Sequence, residues 1–127
     1  MSSLPIRFTG RTEEGLSKGH SLGFPTINIQ LSDVPEELAE GIYACEVRVD
    51  GDLYGAAMHC GPRPAVRAGP SCEVHLLDAE FTELPGWVEV TVIKRLRDVM
   101  DFPTMDALSA QIAEDVRQTR ETLAQKA

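Results

Sequence analysis

The segment GIYACEVRVDGDLYGAAMHC, residues 41–60, decides how this chain folds. Its first half alternates: Tyr43, Cys45, Val47 and Val49 project to one side of an extended chain, and Ala44, Glu46, Arg48 and Asp50 to the other. A period of two with one apolar side marks a half-buried strand. Asp50-Gly51-Asp52 supplies turn chemistry, so Leu53 to Cys60 reads as the return strand of a hairpin. A Gly/Pro-rich connection follows, from Gly61-Pro-Arg-Pro64 to Gly69-Pro70. Beyond it, Cys72 to Leu77 and Val88 to Ile93 repeat the strand pattern, the second with Val88, Val90 and Val92 set against Glu89 and Thr91. Short strands at this spacing imply a closed or nearly closed antiparallel barrel, which leaves no exposed edge.

Near the C-terminus the period changes. Met105, Leu108, Ile112, Val116 and Leu123 recur at steps of three, four or seven, with Thr104 at an N-cap position and Asp106 in the first turn. This predicts a helix from about Met105 to Ala124, with an apolar stripe on the barrel and a solvated face carrying Glu114, Asp115, Arg117, Arg120 and Glu121. A chain of 127 residues that is 43% apolar suits one core, so residues 1–127 read as a single domain. The formal charge is −8 and the 12 basic residues form no run, which argues against a nucleic acid partner. No apolar stretch approaches the roughly 18 residues of a membrane span. Met1-Ser-Ser-Leu-Pro5 also lacks the basic and apolar regions of a signal peptide, so no membrane association and a cytoplasmic location are expected.

Cys45, Cys60 and Cys72 are an odd, widely spaced set without a C-x-x-C pair, and read as reduced, mostly buried thiols. Zinc could be held by His59-Cys60 with Cys72-x-x-His75 only if one face carried all four, and neighbouring strand residues point to opposite faces. The least ordinary stretch is Gly10-Arg-Thr-Glu-Glu-Gly15-Leu-Ser-Lys-Gly19-His20-Ser-Leu-Gly23-Phe-Pro25-Thr26-Ile27-Asn28, with four glycines in fourteen residues. Such a loop can turn sharply and offer backbone N–H groups to phosphate oxygens, or can simply be a turn. No G-x-x-x-x-G-K-[ST] is present, so a Walker-type site is excluded.

Leu22-Gly-Phe-Pro-Thr-Ile-Asn28, preceded by glycines, resembles the signature of the riboflavin kinase family. Gly41-Ile-Tyr-Ala44 is similar to that family's Gly-Val-Tyr-Ala strand and Gly61-Pro-Arg-Pro64 to its Gly-x-x-Pro turn. Glu73-Val-His-Leu-Leu-Asp78 is similar to its Glu-x-His-Leu-Leu-Asp strand. Leu96-Arg97, Phe102 and Leu108-x-x-Gln111-Ile112-x-x-Asp115 resemble its flavin-side segment and helix. The resemblance runs from about residue 8 to 120. It implies a mainly β fold, a six-stranded antiparallel Greek-key barrel with a C-terminal helix. It implies transfer of the ATP γ-phosphate to the ribityl 5′-hydroxyl of riboflavin with Mg2+, giving FMN and ADP, and no obligate protein partner.

Residue by residue, the resemblance assigns Glu73 as general base, a role that suits a carboxylate ionised at neutral pH. Thr26 and Asn28 share a face of an extended segment and would hold magnesium through neutral oxygens; a turn-stabilising pair is the alternative. Gly15, Gly19, His20, Ser21, Gly23, Pro25 and Thr26 would contact the nucleotide, and Arg97 and Phe102 the flavin. For His75 and Asp78 a structural hydrogen-bonding role is expected. The chain departs from the pattern at His20, where Arg is frequent, at Ala65 for Thr, at Ala79 for Phe, and at Pro85 in Leu84-Pro-Gly86 where Leu-Tyr-Gly is usual. It also lacks the nucleotidyltransferase domain often fused N-terminally, so a stand-alone kinase is expected. A non-catalytic flavin- or nucleotide-binding barrel, acting as sensor or carrier, would tolerate these departures but has no need of a base beside a magnesium pair. A protein-interaction barrel would need no Gly-rich loop.

Overall fold

Asp50 and Gly51 close the hairpin that the sequence marks, with φ of 49° and 89°, the positive pair that a two-residue type I′ loop requires. The structure is a computed structural model that describes residues 4–13, 26–62, 70–80 and 83–126. In chain order the strands are β1 (Ile6–Glu13), β2 (Thr26–Ile29), β3 (Gly41–Val49), β4 (Asp52–Pro62), β5 (Pro70–Leu76) and β6 (Trp87–Arg97), followed by helix α1 (Met105–Lys126). The six strands close into a barrel in the order β1-β2-β5-β4-β3-β6, every neighbouring pair antiparallel. Strands β3, β4 and β5 are successive neighbours and β6 returns beside β3, which is the Greek-key arrangement.

Alternation builds the core. Val47 and Val49 from β3, Ala56 and Met58 from β4, Val74 and Leu76 from β5, and Val88, Val90 and Val92 from β6 point inward, none more than 2% exposed. The strand β1 was not evident from the sequence because only Ile6 and Phe8 mark its inner face. The third inward position is Gly10, opposite Val88, where a Cβ would stand 2.5 Å from Ile29 Cγ2. Ile29 of the adjacent strand fills that place instead.

Helix α1 starts as expected: Thr104 Oγ1 accepts the Ala107 N–H at 3.1 Å. It then lies on the outside of β3, β4 and β6. Gly55 on β4 permits the close approach, since a Cβ there would lie 2.7 Å from Leu123 Cδ1. Three expectations are corrected here. Ala44, assigned to the polar side of β3, is fully buried because this part of the barrel exterior is covered by the helix. Met105 is 62% exposed and stands outside the apolar stripe, whereas Thr119 is buried and fills the gap between Val116 and Leu123. Asp115, assigned to the solvated face, is also buried, for a reason that belongs to the site. No helix among the described residues is long and apolar enough to cross a membrane.

Ile29 tests how far the short strand β2 depends on the core. Ile29→Ala removes a side chain that is 1% exposed and should destabilise the protein by about 2–5 kcal/mol. Leu53→Ala, at 52% exposure, should stay within about 0.5 kcal/mol. Urea unfolding midpoints of the two variants check this.

Candidate active site

The same alternation that fills the barrel sets the outward residues. On β2, Ile27 and Ile29 join the core, so Thr26 and Asn28 face out. On β5, Cys72, Val74 and Leu76 join the core, so Glu73 and His75 face out. On β4, Met58 and Cys60 face in and His59 faces out. Register then aligns these residues in rows across the strands. Asn28 pairs with Glu73, Glu73 with His59, His59 with Ile42, and Ile42 with Arg97. One step along, Thr26 pairs with His75 and His75 with Ala57. Cross-strand partners hold their Cβ atoms about 4.5–5.5 Å apart, so Asn28, Glu73 and His59 form one contiguous polar strip.

Thr26 and His75 are joined directly, Oγ1 to Nδ1 at 3.0 Å. Burial holds the His75 imidazole below its ordinary pKa, ahead of the opposing pull of the Glu73 and Asp115 carboxylates, with His59 adding to the depression. The ring is therefore neutral at pH 7. In the tautomer with its proton on Nε2 the ring accepts from the Thr26 hydroxyl, and the hydroxyl lone pairs are then directed away from His75. That arrangement fits an oxygen ligand for a hard cation, and the Asn28 side-chain oxygen on the same face supplies a second.

The far end of the row is built by α1. Two register shifts between β3 and β6, at Ile42/Tyr43 and Ala44/Cys45, break the simple alternation of β6 before it reaches Arg97. There Arg97 donates from Nε to Asp115 Oδ1 and from Nη2 to Oδ2, both at 2.8 Å, and from Nη1 to the Asp98 carbonyl at 2.9 Å. Gln111 Nε2 donates a further bond to Asp115 Oδ1 at 3.0 Å. The guanidinium carbon lies 5.9 Å from the centre of the Phe102 ring. Of the five N–H donors of Arg97, three are used in these bonds, which leaves one on each terminal nitrogen for a ligand oxygen.

The expected site residues thus divide. Thr26, Asn28 and Glu73 come together on the barrel exterior, and Arg97 and Phe102 meet at the other end of the same row. Gly15, Gly19, His20, Ser21, Gly23, Pro25 and Ala65 lie outside the described residues. Asp78 pairs with Arg120 through two bonds of 2.8 and 3.1 Å, tying the end of β5 to α1, which is the structural role expected of it. Three residues gain a place at the site that sequence reading did not give them: His59 beside Glu73, Ile42 between His59 and Arg97, and Asp115 as the anchor of Arg97. Cys60 and Cys72 point into the core while His59 and His75 point out, so these four do not surround one ion. Among the described residues no group of three or more His, Cys, Asp or Glu is placed to hold a metal.

Comparison with known proteins agrees with the fold. The family model described as riboflavin kinase matches residues 2–123. A bifunctional riboflavin kinase/FMN adenylyltransferase of Escherichia coli is 37% identical over 121 residues, 92% of this chain and 38% of that protein. A solved chain from Streptococcus pneumoniae, described as a macrolide-efflux protein, superposes with a TM-score of 0.79 at 27% identity, covering 91% of this chain and 38% of that one. Riboflavin kinase from Trypanosoma brucei shares the fold, with a TM-score of 0.65 at 23% identity over 98% of this chain and 83% of that one. The chain spans 38% of the length of the Escherichia coli relative. With the family model matched from residue 2 to 123, and with the barrel, the helix and the Asn28–Glu73 pair in place, the chain belongs to the riboflavin kinase family.

Proposed function

We propose that residues 1–127 form one riboflavin kinase domain that transfers the ATP γ-phosphate to the 5′-hydroxyl of riboflavin, giving FMN and ADP. The observation that carries this reading is the row itself, which sets a carboxylate, Glu73, beside the Thr26/Asn28 oxygens and in line with the Arg97–Phe102 end. Strands lie about 4.8 Å apart, so three steps from Glu73 on β5 to Arg97 on β6 span roughly 14 Å along the curved surface. An extended ligand with a flat ring at one end and a hydroxyl at the other suits such a strip. Arg97 offers its two remaining N–H groups to ring oxygens and Phe102 offers a stacking face.

At the other end, Glu73 accepts the proton of the 5′-hydroxyl as that oxygen bonds to the γ-phosphorus. The bond from phosphorus to the bridging oxygen breaks and ADP leaves. Thr26 and Asn28 would hold Mg2+, whose charge, when bound, offsets that of the phosphate oxygens. Thr26 is kept in position by His75, and Asn28 by its pairing with Glu73. The Gly15–Gly23 loop with His20, Ser21 and Pro25 is assigned to the nucleotide phosphates. A cytoplasmic location, where ATP is available, belongs to this reading, as does a reaction among small molecules.

The activity test incubates purified protein with riboflavin, ATP and Mg2+ and separates the flavins by chromatography. FMN is expected only in the complete reaction. Folded protein that binds riboflavin and makes no FMN supports the carrier or sensor reading instead. Glu73→Gln should keep riboflavin affinity and lose about 10²-fold or more in turnover; equal activity removes Glu73 as the base.

Asn28→Ala should shift the Mg2+ concentration needed for half-maximal turnover upward by several-fold, with riboflavin affinity unchanged in a titration without nucleotide.

Asp115→Ala leaves Arg97, whose side chain is 17% exposed, without its carboxylate. It should cost about 3–5 kcal/mol in stability and raise the KM for riboflavin more than that for ATP. Steady-state kinetics with each substrate varied, alongside denaturant unfolding, separates the two effects.

A further inference from the structure

Inside the barrel, behind the polar strip, two thiols face each other. Cys60 on β4 and Cys72 on β5 are directly paired across the strands, and both project into the core. Paired antiparallel residues have Cα atoms about 4.5–5.5 Å apart. A disulfide spans Cα separations of about 4.4–6.8 Å, so the backbone already stands where the bond needs it. The third thiol is placed differently: Cys45 on β3 lies opposite Ala56, is fully buried, and directs its Sγ to the Tyr43 carbonyl.

We propose that Cys60 and Cys72 are a redox-modification site, which a hydroperoxide closes into a cross-strand disulfide directly behind His59 and Glu73. The two thiols have distinct parts. Cys60 is 7% exposed against 1% for Cys72, and lies near the end of β4, so a small oxidant reaches it first. The neighbouring Cys72 thiol holds the Cys60 pKa below the ordinary thiol value. The neighbouring Cys60, with burial behind it, pushes Cys72 up, which keeps Cys72 as the proton-bearing partner.

The Cys60 sulfur attacks the O–O bond of hydrogen peroxide, which breaks to release hydroxide and leaves a sulfenic acid. The Cys72 sulfur then displaces hydroxide from the Cys60 sulfur, and the departing hydroxide takes up the Cys72 proton. In all, two thiols and one peroxide give one disulfide and two waters. The two sulfurs are oxidised and the peroxide oxygens reduced. Since Cys60 follows His59 and Cys72 precedes Glu73 in the chain, the new bond covalently ties β4 to β5 where the site row crosses them.

The test treats the full chain with hydrogen peroxide, quenches it, alkylates it under denaturing conditions and measures intact mass and peptides. The expected product has lost the mass of two hydrogens, carries a single alkylation on Cys45, and yields a Cys60–Cys72 linked peptide that dithiothreitol separates. Alkylation of all three thiols after treatment overturns the proposal, as does a linkage involving Cys45 or oxidation that stops at sulfinic acid on Cys60. Cys72→Ser removes the resolving thiol with little change in volume. In that variant dimedone should trap a sulfenic acid on Cys60, and adduct on Cys45 alone would overturn the assignment of Cys60 as the attacking thiol.

Discussion

Two-residue alternation around a closed sheet is the constraint from which the rest of this structure follows. Inward positions must be apolar because the barrel interior excludes water, and once they are chosen the outward positions have no freedom left. Cys72, Val74 and Leu76 fill the interior, so Glu73 and His75 must face out. Ile27 and Ile29 do the same for Thr26 and Asn28. Slipping β5 by one residue would exchange these sets, placing a carboxylate among Val47, Val90 and Met58 and exposing three apolar side chains. The energy that holds the core in register therefore also holds the reactive row in register. The Glu73 carboxylate is thus positioned by packing on the other side of the sheet.

Helix α1 covers part of the barrel exterior. Small residues decide where it can do so: Ala44 and Ala57 are buried outside the barrel, and Gly55 admits Leu123. The helix carries two kinds of ion pair. Arg117 with Glu114 and Glu121 is exposed on all three side chains, and such pairs contribute little to stability. Arg97 with Asp115 is different, with side-chain exposures of 17% and 6% and two parallel bonds. Removing both charges from water costs as much as their attraction returns unless the remaining hydrogen bonds are made, and Gln111 and the Asp98 carbonyl make them. What the pair gains is geometry: a guanidinium fixed in one plane at the end of the row, over Phe102.

Much of this was legible because the legible parts depend on local period. The β3–β4 hairpin, the alternation in β5 and β6, the Thr104 cap and the start of α1 all follow from neighbours within a few residues. The roles of Thr26, Asn28 and Glu73 were carried by a resemblance, and alternation then placed all three outside the barrel. The obscure parts depend on who packs against whom. Gly10 reads as a loop residue until Ile29 is seen to occupy its inward position. Asp115 reads as a surface charge because nothing in a helical repeat announces an arginine arriving from a strand 18 residues earlier. His59 sits next to Cys60 in sequence and was weighed with it as a metal ligand, whereas its significance lies across the sheet, opposite Glu73.

Charge adds a further step. The chain carries −8 and ATP is a polyanion, so the protein's long-range field opposes their meeting, and affinity for the nucleotide must come from close contacts. The pair proposed to face the cation suits this field. Thr26 and Asn28 present neutral oxygens, and a neutral donor set adds no repulsion toward the phosphates that would share the ion with it. Carboxylates there would bind a free cation more tightly and at the same time push the nucleotide away. Glu73 is the one carboxylate in the described row from Asn28 to Arg97, and it stands between an amide and an imidazole. In the proposed reaction the negative charge is thus confined to the position assigned to proton removal, and left out of the positions assigned to the phosphates.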